Sequence, residues 1–460
     1  MNCTIEGGGH KLIFEKGATL GEFGGKISDV EIVTKGSPLF TAVSDKGEIS
    51  SVTVNVNADI QTSRSSAFIA VANYGKIDKV TLNVSGRVSA VAGNSEVTFG
   101  GVVLGNYVSS INVYGTVSNC TVNYSDFTLS GETYANGAFG GIAGYNYGAV
   151  EECTVTGEIS SDTFDLAGVC VENGGLLSKV INNANLYQTS NDDGWSPIVS
   201  GIALSNTDTA WDCENRGTLT AKSTGSSEEG ELAVSVAGIV VNNYIQYIYG
   251  IAYGKIDGCI SSGDISAEGN ETVIVGGIVA HTGTPISYCI SSGYISASGK
   301  TVYAGGIAGR SEVLFTNYWG FVTYCISESK INVASVETAF IGGIVGFVRE
   351  GVYNYSDGVE FFGGGVQNCI YLGESISETD YFGAIVGVCG KDIYERNLYY
   401  SENTEYHNFE NNYYIGNSSF GAVVDDNSEF TKVDDKGATL IDGKVEDLEL
   451  YREILNTLGK

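Results

Sequence analysis

Hydrophobic positions along this chain recur with two periods, a short one inside each segment and a long one between segments. From Val52 onward, Val54, Val56, Ala58 and Ile60 alternate with Thr53, Asn55, Asn57 and Asp59. That parity predicts a strand with one buried face. Val80, Leu82, Val84 and Val88 keep the same alternation, as do Cys153, Val155 and Ile159. The long period is plainest between Gly254 and Gly309. There Cys259-Ile-Ser-Ser-Gly-Asp-Ile265 and Gly276-Gly-Ile278 are answered by Cys289-Ile-Ser-Ser-Gly-Tyr-Ile295 and Gly305-Gly-Ile307, the cysteines 30 residues apart and the glycine pairs 29. A repeat of that length is one winding of a solenoid.

Taking Cys259 as the anchor, equivalent positions are Val30, Val52, Val80, Cys120, Cys153, Val180, Cys213, Cys289, Cys325 and Cys369. A site that takes only Val or Cys predicts an interior column, each residue stacked on its counterpart one winding away. A second strand carries the glycine pair, as in Phe139-Gly-Gly-Ile142, Ala304-Gly-Gly-Ile307 and Ile341-Gly-Gly-Ile344. Glycine weakens a strand, so its recurrence there predicts a bend or a close approach of backbones. Loop length varies between windings, which is tolerated because each doubling costs only about 0.6 kcal/mol.

The fold expected is therefore all-β, a single-stranded right-handed parallel β-helix. Residues 1–24 are expected to form the first coil, 25–400 the repeats, and 401–460 a final coil with a helical cap. Leu448, Tyr451, Leu455 and Leu458 stand at helical spacing behind the acidic start Glu446, Asp447 and Glu449, which favours a short helix. Closing the C-terminal edge of the stack is its expected role.

The phrases Gly141-Ile-Ala-Gly144, Gly306-Ile-Ala-Gly309 and Gly343-Ile-Val-Gly346 resemble the GLUG-type repeats of bacterial surface proteins. The Ile-x-x-Cys-x-x-x-Gly-x-Ile phrase is similar to the segment that comes after that motif in the family. The match covers most of residues 25 to 400, with Leu204 and Ala280 in place of the closing glycine in two units. The resemblance implies export to a bacterial surface and a role in adhesion or display. Some immunoglobulin A metallopeptidases carry such repeats outside their catalytic region, but the zinc signature His-Glu-x-x-His is absent.

Charge narrows the partners. With 24 basic against 54 acidic residues, a net charge of −30 over 460 residues argues against nucleic acid, which demands clustered Lys and Arg. No stretch of about twenty apolar residues is present to span a bilayer. Glycine at 63 and tyrosine at 28 with 3 prolines suit a turn-rich β chain. Met1 leads directly into Thr4-Ile-Glu-Gly-Gly-Gly-His10, with no charged and apolar leader visible.

No cofactor is implied. The column cysteines are spaced too widely for a zinc pattern, and buried free thiols are expected of them; Cys3, Cys170 and Cys389 lie off the column. His10, His281 and His407 have no nucleophile partner. The acidic pairs Asp192-Asp193, Asp425-Asp426 and Asp434-Asp435 are either solvated charges or candidate calcium or catalytic carboxylates.

Two candidate surfaces remain. One is an outward row beside the column that turns apolar in its later members, Ile260, Ile290, Ile326 and Ile370. It reads either as β-propensity on a wet face or as a ladder onto which a loop or partner docks. The other is a set of aromatic edge loops, Tyr244, Tyr247 and Tyr249, then Phe315, Tyr318 and Trp319, then Tyr353 and Tyr355. Such rings either present rigid area to a glycan or protein or close over small cores of their own. The functional expectation is a non-catalytic extracellular adhesin or display module that binds a host or environmental glycan or protein. A β-helix polysaccharide lyase or glycoside hydrolase, or a passive stalk, are the alternatives.

Overall fold

In each unit of the computed structural model three parallel sheets wind around an apolar interior, each repeat contributing one strand or strand pair to each sheet. The structure describes residues 3–14, 18–36, 38–91, 96–110, 113–131, 137–191, 195–225, 233–244, 254–311, 321–355, 358–363, 365–375, 382–391, 409–415, 422–424, 430–432 and 438–460. The fold is the all-β parallel β-helix that the two periods predict. The chain divides into two compact units, Met1–Asn191 with Pro197–Lys222 and Asp192–Ser196 with Ser223–Lys460.

In the first unit, β1 (Thr4–Glu6), β2 (Lys11–Ile13) and β3 (Leu20–Phe23) make the first rung. They start sheets I, II and III respectively. Sheet I continues through three-residue strands such as Lys26–Ser28, Glu48–Ser50 and Lys76–Asp78, paired in strict register. Sheet II holds the long alternating strands, with Thr53–Thr62, Thr81–Ala90 and Thr121–Gly131 paired side by side. Sheet III takes the strands beyond the glycine pair, among them Val103–Asn106, Ala143–Asn146 and Cys170–Asn173. The second unit repeats the plan, with Tyr294–Gly305 beside Lys330–Gly342 in sheet II and Val279–Thr282 beside Ala308–Ser311 in sheet III.

Each corner has its own chemistry. From sheet I to sheet II the chain turns on one left-handed residue, with φ between 51° and 53° at Asp29, Ser51, Lys79, Asn119, Glu152, Lys179 and Asp212. In the second unit Gly258, Tyr288, Tyr324 and Asn368 do the same. A left-handed residue with a side chain costs about 1–2 kcal/mol, so its recurrence marks a turn that the stack enforces. Immediately after it stands the Val or Cys anchor, buried in every rung from Val30 to Cys369. The thiols do more than fill space. Cys120, Cys153, Cys289 and Cys325 each donate to the carbonyl two residues back, Ser118, Glu151, Ser287 and Thr323, at 3.2 Å. Backbone N–H groups of Cys120 and Cys289 donate in turn to the sulfurs of Cys153 and Cys325, at 3.4 and 3.5 Å. Burial pushes the thiols of Cys153, Cys289 and Cys369 well above their ordinary range, which keeps these three neutral, whereas hydrogen bonds with Cys289 and Cys369 outweigh burial at Cys325 and lower it to about 5.

From sheet II to sheet III the turn is the glycine pair. A Cβ on Gly276 would sit 1.7 Å from the carbonyl oxygen of Val279, and one on Gly305 1.8 Å from that of Ala308. The chain has doubled back on itself there. A Cβ on the second glycine, Gly277, would meet Ser291 Oγ at 2.0 Å and the Gly306 carbonyl of the next rung at 2.1 Å. Bend and close approach are thus both required, one by each glycine.

The third corner, from sheet III back to sheet I, is polar and buried. Asn73, Asn106, Asn146, Asn173 and Asn206 stack with no solvent exposure. The Nδ2 of each of the first four donates to the Oδ1 of the next rung, at 2.8, 2.9, 2.8 and 2.7 Å along the series. Its second hydrogen serves a sheet I carbonyl, such as Ala149 at 3.0 Å from Asn106 and Leu176 at 3.1 Å from Asn146. A buried amide is tolerated only when satisfied in this way.

The expected C-terminal helix is present as α1 (Glu449–Thr457). What it covers is the outward ladder. Leu450 and Ile454 pack on Ile326 and Ile370, which are fully buried, with Tyr288, Tyr324 and Ile290 flanking.

Candidate functional site

Outside the glycine bend, the end of sheet II and the start of sheet III face each other across a furrow. In the first unit the sheet II wall carries the outward residues Thr98, Ala138, Asp165 and Ile198. The sheet III wall carries Tyr145, Glu172 and Ser205, in register from rung to rung. Between them Ala138, Ala167, Val171, Ile198 and Leu204 close together as a small outer cluster. The closing glycine of the repeat motif belongs to this floor. A Cβ on Gly144 would meet Thr98 Cγ2 at 2.9 Å and Leu104 Cδ1 at 3.0 Å. Two rungs on, Leu204 stands where Gly144 does, so the motif position sets how deep the floor lies.

Polar groups cross the furrow. Tyr145 reaches from sheet III to hydrogen-bond Thr98 Oγ1 on sheet II at 2.9 Å. Asp165 accepts from the Ile198 backbone N–H at 3.0 Å, and burial, reinforced by nearby Glu96, holds its carboxyl well above the usual range. Above the sheet III wall stand Tyr74, Tyr107 and Tyr147, stacked ring on ring at 5.6 and 6.0 Å with interplanar angles of 28° and 15°. Tyr147 donates to Glu172 Oε1 at 2.6 Å; burial, with that bond and the glutamate's charge, pushes its phenol up. All three tyrosines are half-exposed. Stacked rings cover one another's faces, so this column offers ring edges and hydroxyls.

The second unit has its own furrow, filled differently. Tyr303, Phe340 and Phe347 form an aromatic knot, with Tyr303 and Phe340 stacked at 4.9 Å. The Arg310 guanidinium lies 4.6 Å from the Tyr303 ring centre and 5.6 Å from that of Phe347. His281 is aligned with Arg310 one rung away. Burial and the Arg310 charge lower its pKa to about 3, so the imidazole is neutral at physiological pH.

The sequence-derived positions distribute unevenly. Ile326 and Ile370 lie beneath α1, while Ile260 and Ile290 are half-buried. Tyr244 is described, its hydroxyl donating to Asn242 Oδ1 at 3.0 Å. Tyr247, Tyr249, Phe315, Tyr318 and Trp319 lie outside the described residues, as do His407 and the acidic pairs at 192, 425 and 434. Tyr353 and Tyr355 fall on a hairpin, with Tyr353 opposite Glu360 and Tyr355 opposite Gly358. His10 is exposed, and Cys170 is buried in sheet III. Among the described residues no three metal-ligating side chains converge, and no helix is long and apolar enough to cross a membrane.

The furrow itself was not anticipated, because it joins residues from strands whose outer face a purely apolar pattern does not reveal. One signal was available: a tyrosine directly after the asparagine in Asn73-Tyr74, Asn106-Tyr107 and Asn146-Tyr147. No family model, no curated protein and no solved structure matches the chain.

Proposed function

We propose that the chain is a non-catalytic, extracellular display module of a bacterial surface protein, and that the furrow of the first unit holds a neutral or cationic glycan. The observation that carries this reading is the half-exposed set of Tyr74, Tyr107, Tyr145 and Tyr147 with Asp165 and Glu172. Phenol hydroxyls and two carboxyl groups offer donors and acceptors side by side, which suits a polyhydroxylated ligand. The net charge of −30 disfavours anionic polysaccharides through like-charge repulsion. Placement at a cell surface rests on the repeat resemblance. The test is a glycan array followed by titration calorimetry on Tyr145→Ala and on Asp165→Ala. Either change is expected to weaken the bound glycan at least about tenfold, or about 1.4 kcal/mol, with the sugar recovered intact.

A second reading, a glycoside hydrolase, is favoured by one feature: Asp165 and Glu172 stand on opposite walls, and burial raises the Asp165 carboxyl above its usual range, the direction a general acid requires. Release of reducing sugar that Asp165→Asn abolishes is the outcome that selects this reading.

A further inference from the structure

The interior column sets thiols beside one another as well as valines. Cys120 and Cys153 stand in adjoining rungs of the first unit, with Val80 and Val180 on either side, and all four are at most 1% exposed. Register places the two cysteines opposite each other, since Ser118 pairs with Glu151 and Thr121 with Thr154. Their side chains are turned alike. Each sulfur lies 3.2 Å from the carbonyl oxygen two residues back, and the Cys120 backbone N–H donates to Cys153 Sγ at 3.4 Å. Side chains of the same shape on paired strands are displaced by the strand spacing, about 4.7–4.9 Å, so the two sulfurs face each other at about that separation. In the second unit Cys289 and Cys325 repeat the arrangement, with the same register, the same 3.2 Å contacts and a backbone donor to Cys325 Sγ at 3.5 Å.

We propose that each such pair of stacked thiols is a two-coordinate site for a soft, closed-shell cation, mercuric ion before others. A metal–thiolate bond measures about 2.3 Å in zinc sites, and two laid end to end span about 4.6 Å, close to the separation that the rungs impose. The ligands lie along one line, and among the described residues no three metal-ligating side chains converge, so ions that demand a tetrahedral or octahedral shell find none here. Thiolate selects for softness, and charge selects among the soft ions. Val117, Val122, Val150 and Val155, all fully buried, share this interior with the first pair, and a net charge among them is costly. A divalent ion between two thiolates is neutral, whereas a monovalent one leaves an anion. On binding, two S–H bonds break, two S–metal bonds form and two protons pass to solvent; no atom changes oxidation state. The ion reaches the pair by local opening of a rung. Neither the furrow nor its ligand enters this proposal.

The experiment is uptake of mercuric chloride by the whole chain carrying Cys3→Ser and Cys389→Ser, with unbound ion removed and the retained ion counted. Valine already fills the column position at Val30, Val52, Val80 and Val180, so Cys120→Val and Cys153→Val keep a side chain that this fold accepts. Either substitution alone is expected to lower the retained ion by about one equivalent, and the two together by no more, because groups that act as a unit are not additive. Independently of any variant, X-ray absorption at the mercury edge is expected to find two sulfur neighbours at about 2.3 Å, the length of a zinc–thiolate bond. Losses that add from thiol to thiol, a single sulfur neighbour, or a folded chain that retains no ion would each overturn the proposal.

Discussion

At the residue scale the interior is decided by which polar groups are satisfied and which titrations are suppressed. His281, held at a pKa of about 3, binds its proton more weakly in the folded chain than in the unfolded one, whose histidine titrates near 6.5. The unfolded state therefore takes up more protons between those values, and stability falls as pH drops from about 6.5 toward 3. His281→Gln is expected to flatten that part of a plot of melting temperature against pH. Asp165 has the opposite sign. Its carboxyl titrates higher when folded, so its contribution declines as pH rises above about 4. Asp165→Asn keeps an acceptor for Ile198 and is expected to raise the neutral-pH melting temperature. The thiols give a third expectation. Cys3 is exposed and Cys120, Cys153, Cys170, Cys213, Cys259, Cys289, Cys325 and Cys369 are buried. In a Cys389→Ser variant, a thiol-reactive dye is expected to label Cys3 alone until denaturant is added, and labelling of the column in native buffer would contradict the packing described.

At the scale of elements, much was legible in the chain and some was not. Period-two alternation after the anchor identifies the inward face of sheet II, and each anchor from Val30 to Cys369 is interior. The glycine pair announces a bend because a Cβ on Gly276, Gly277 or Gly305 would stand 1.7–2.1 Å from a carbonyl oxygen; rungs that hold Ala67, Ala167, Ser200 or Ala237 at the first position make the same turn with a small side chain. The asparagine column escaped the pattern because a buried polar row looks like loop composition until its amides are seen to satisfy one another. Asn146→Leu leaves the Asn106 donor and the Asn173 acceptor without their partner, and is expected to cost about 1–3 kcal/mol in urea unfolding. The ladder was visible as a change from Thr53, Thr81 and Thr121 to Ile290, Ile326 and Ile370. Its occupant was visible too, as the apolar face of residues 448–458, yet nothing in one dimension joins the two. Removing the fully buried Ile454 side chain, as Ile454→Ala, is expected to cost about 2–5 kcal/mol. Hydrogen exchange would read it, since α1 amides should then open well before those of sheet II.

For the whole molecule, like charge is the term that conditions tune most directly. Raising ionic strength from about 0.01 to about 0.15 M shortens the screening length from about 30 to about 8 Å. Because the chain carries −30, its melting temperature is expected to climb by several degrees over that range; a flat response would mean that the acidic groups are already neutralised by local partners such as the Lys26–Glu48 and Lys255–Asp257 pairs. The stacked amides of the first unit carry a further electrical consequence. Backbone dipoles in a sheet alternate and largely cancel. The side chains of Asn73, Asn106, Asn146 and Asn173 do not, for each of them donates forward in the same sense. They form a miniature electret threaded through the first unit, a fixed dipole built from groups that do not themselves titrate.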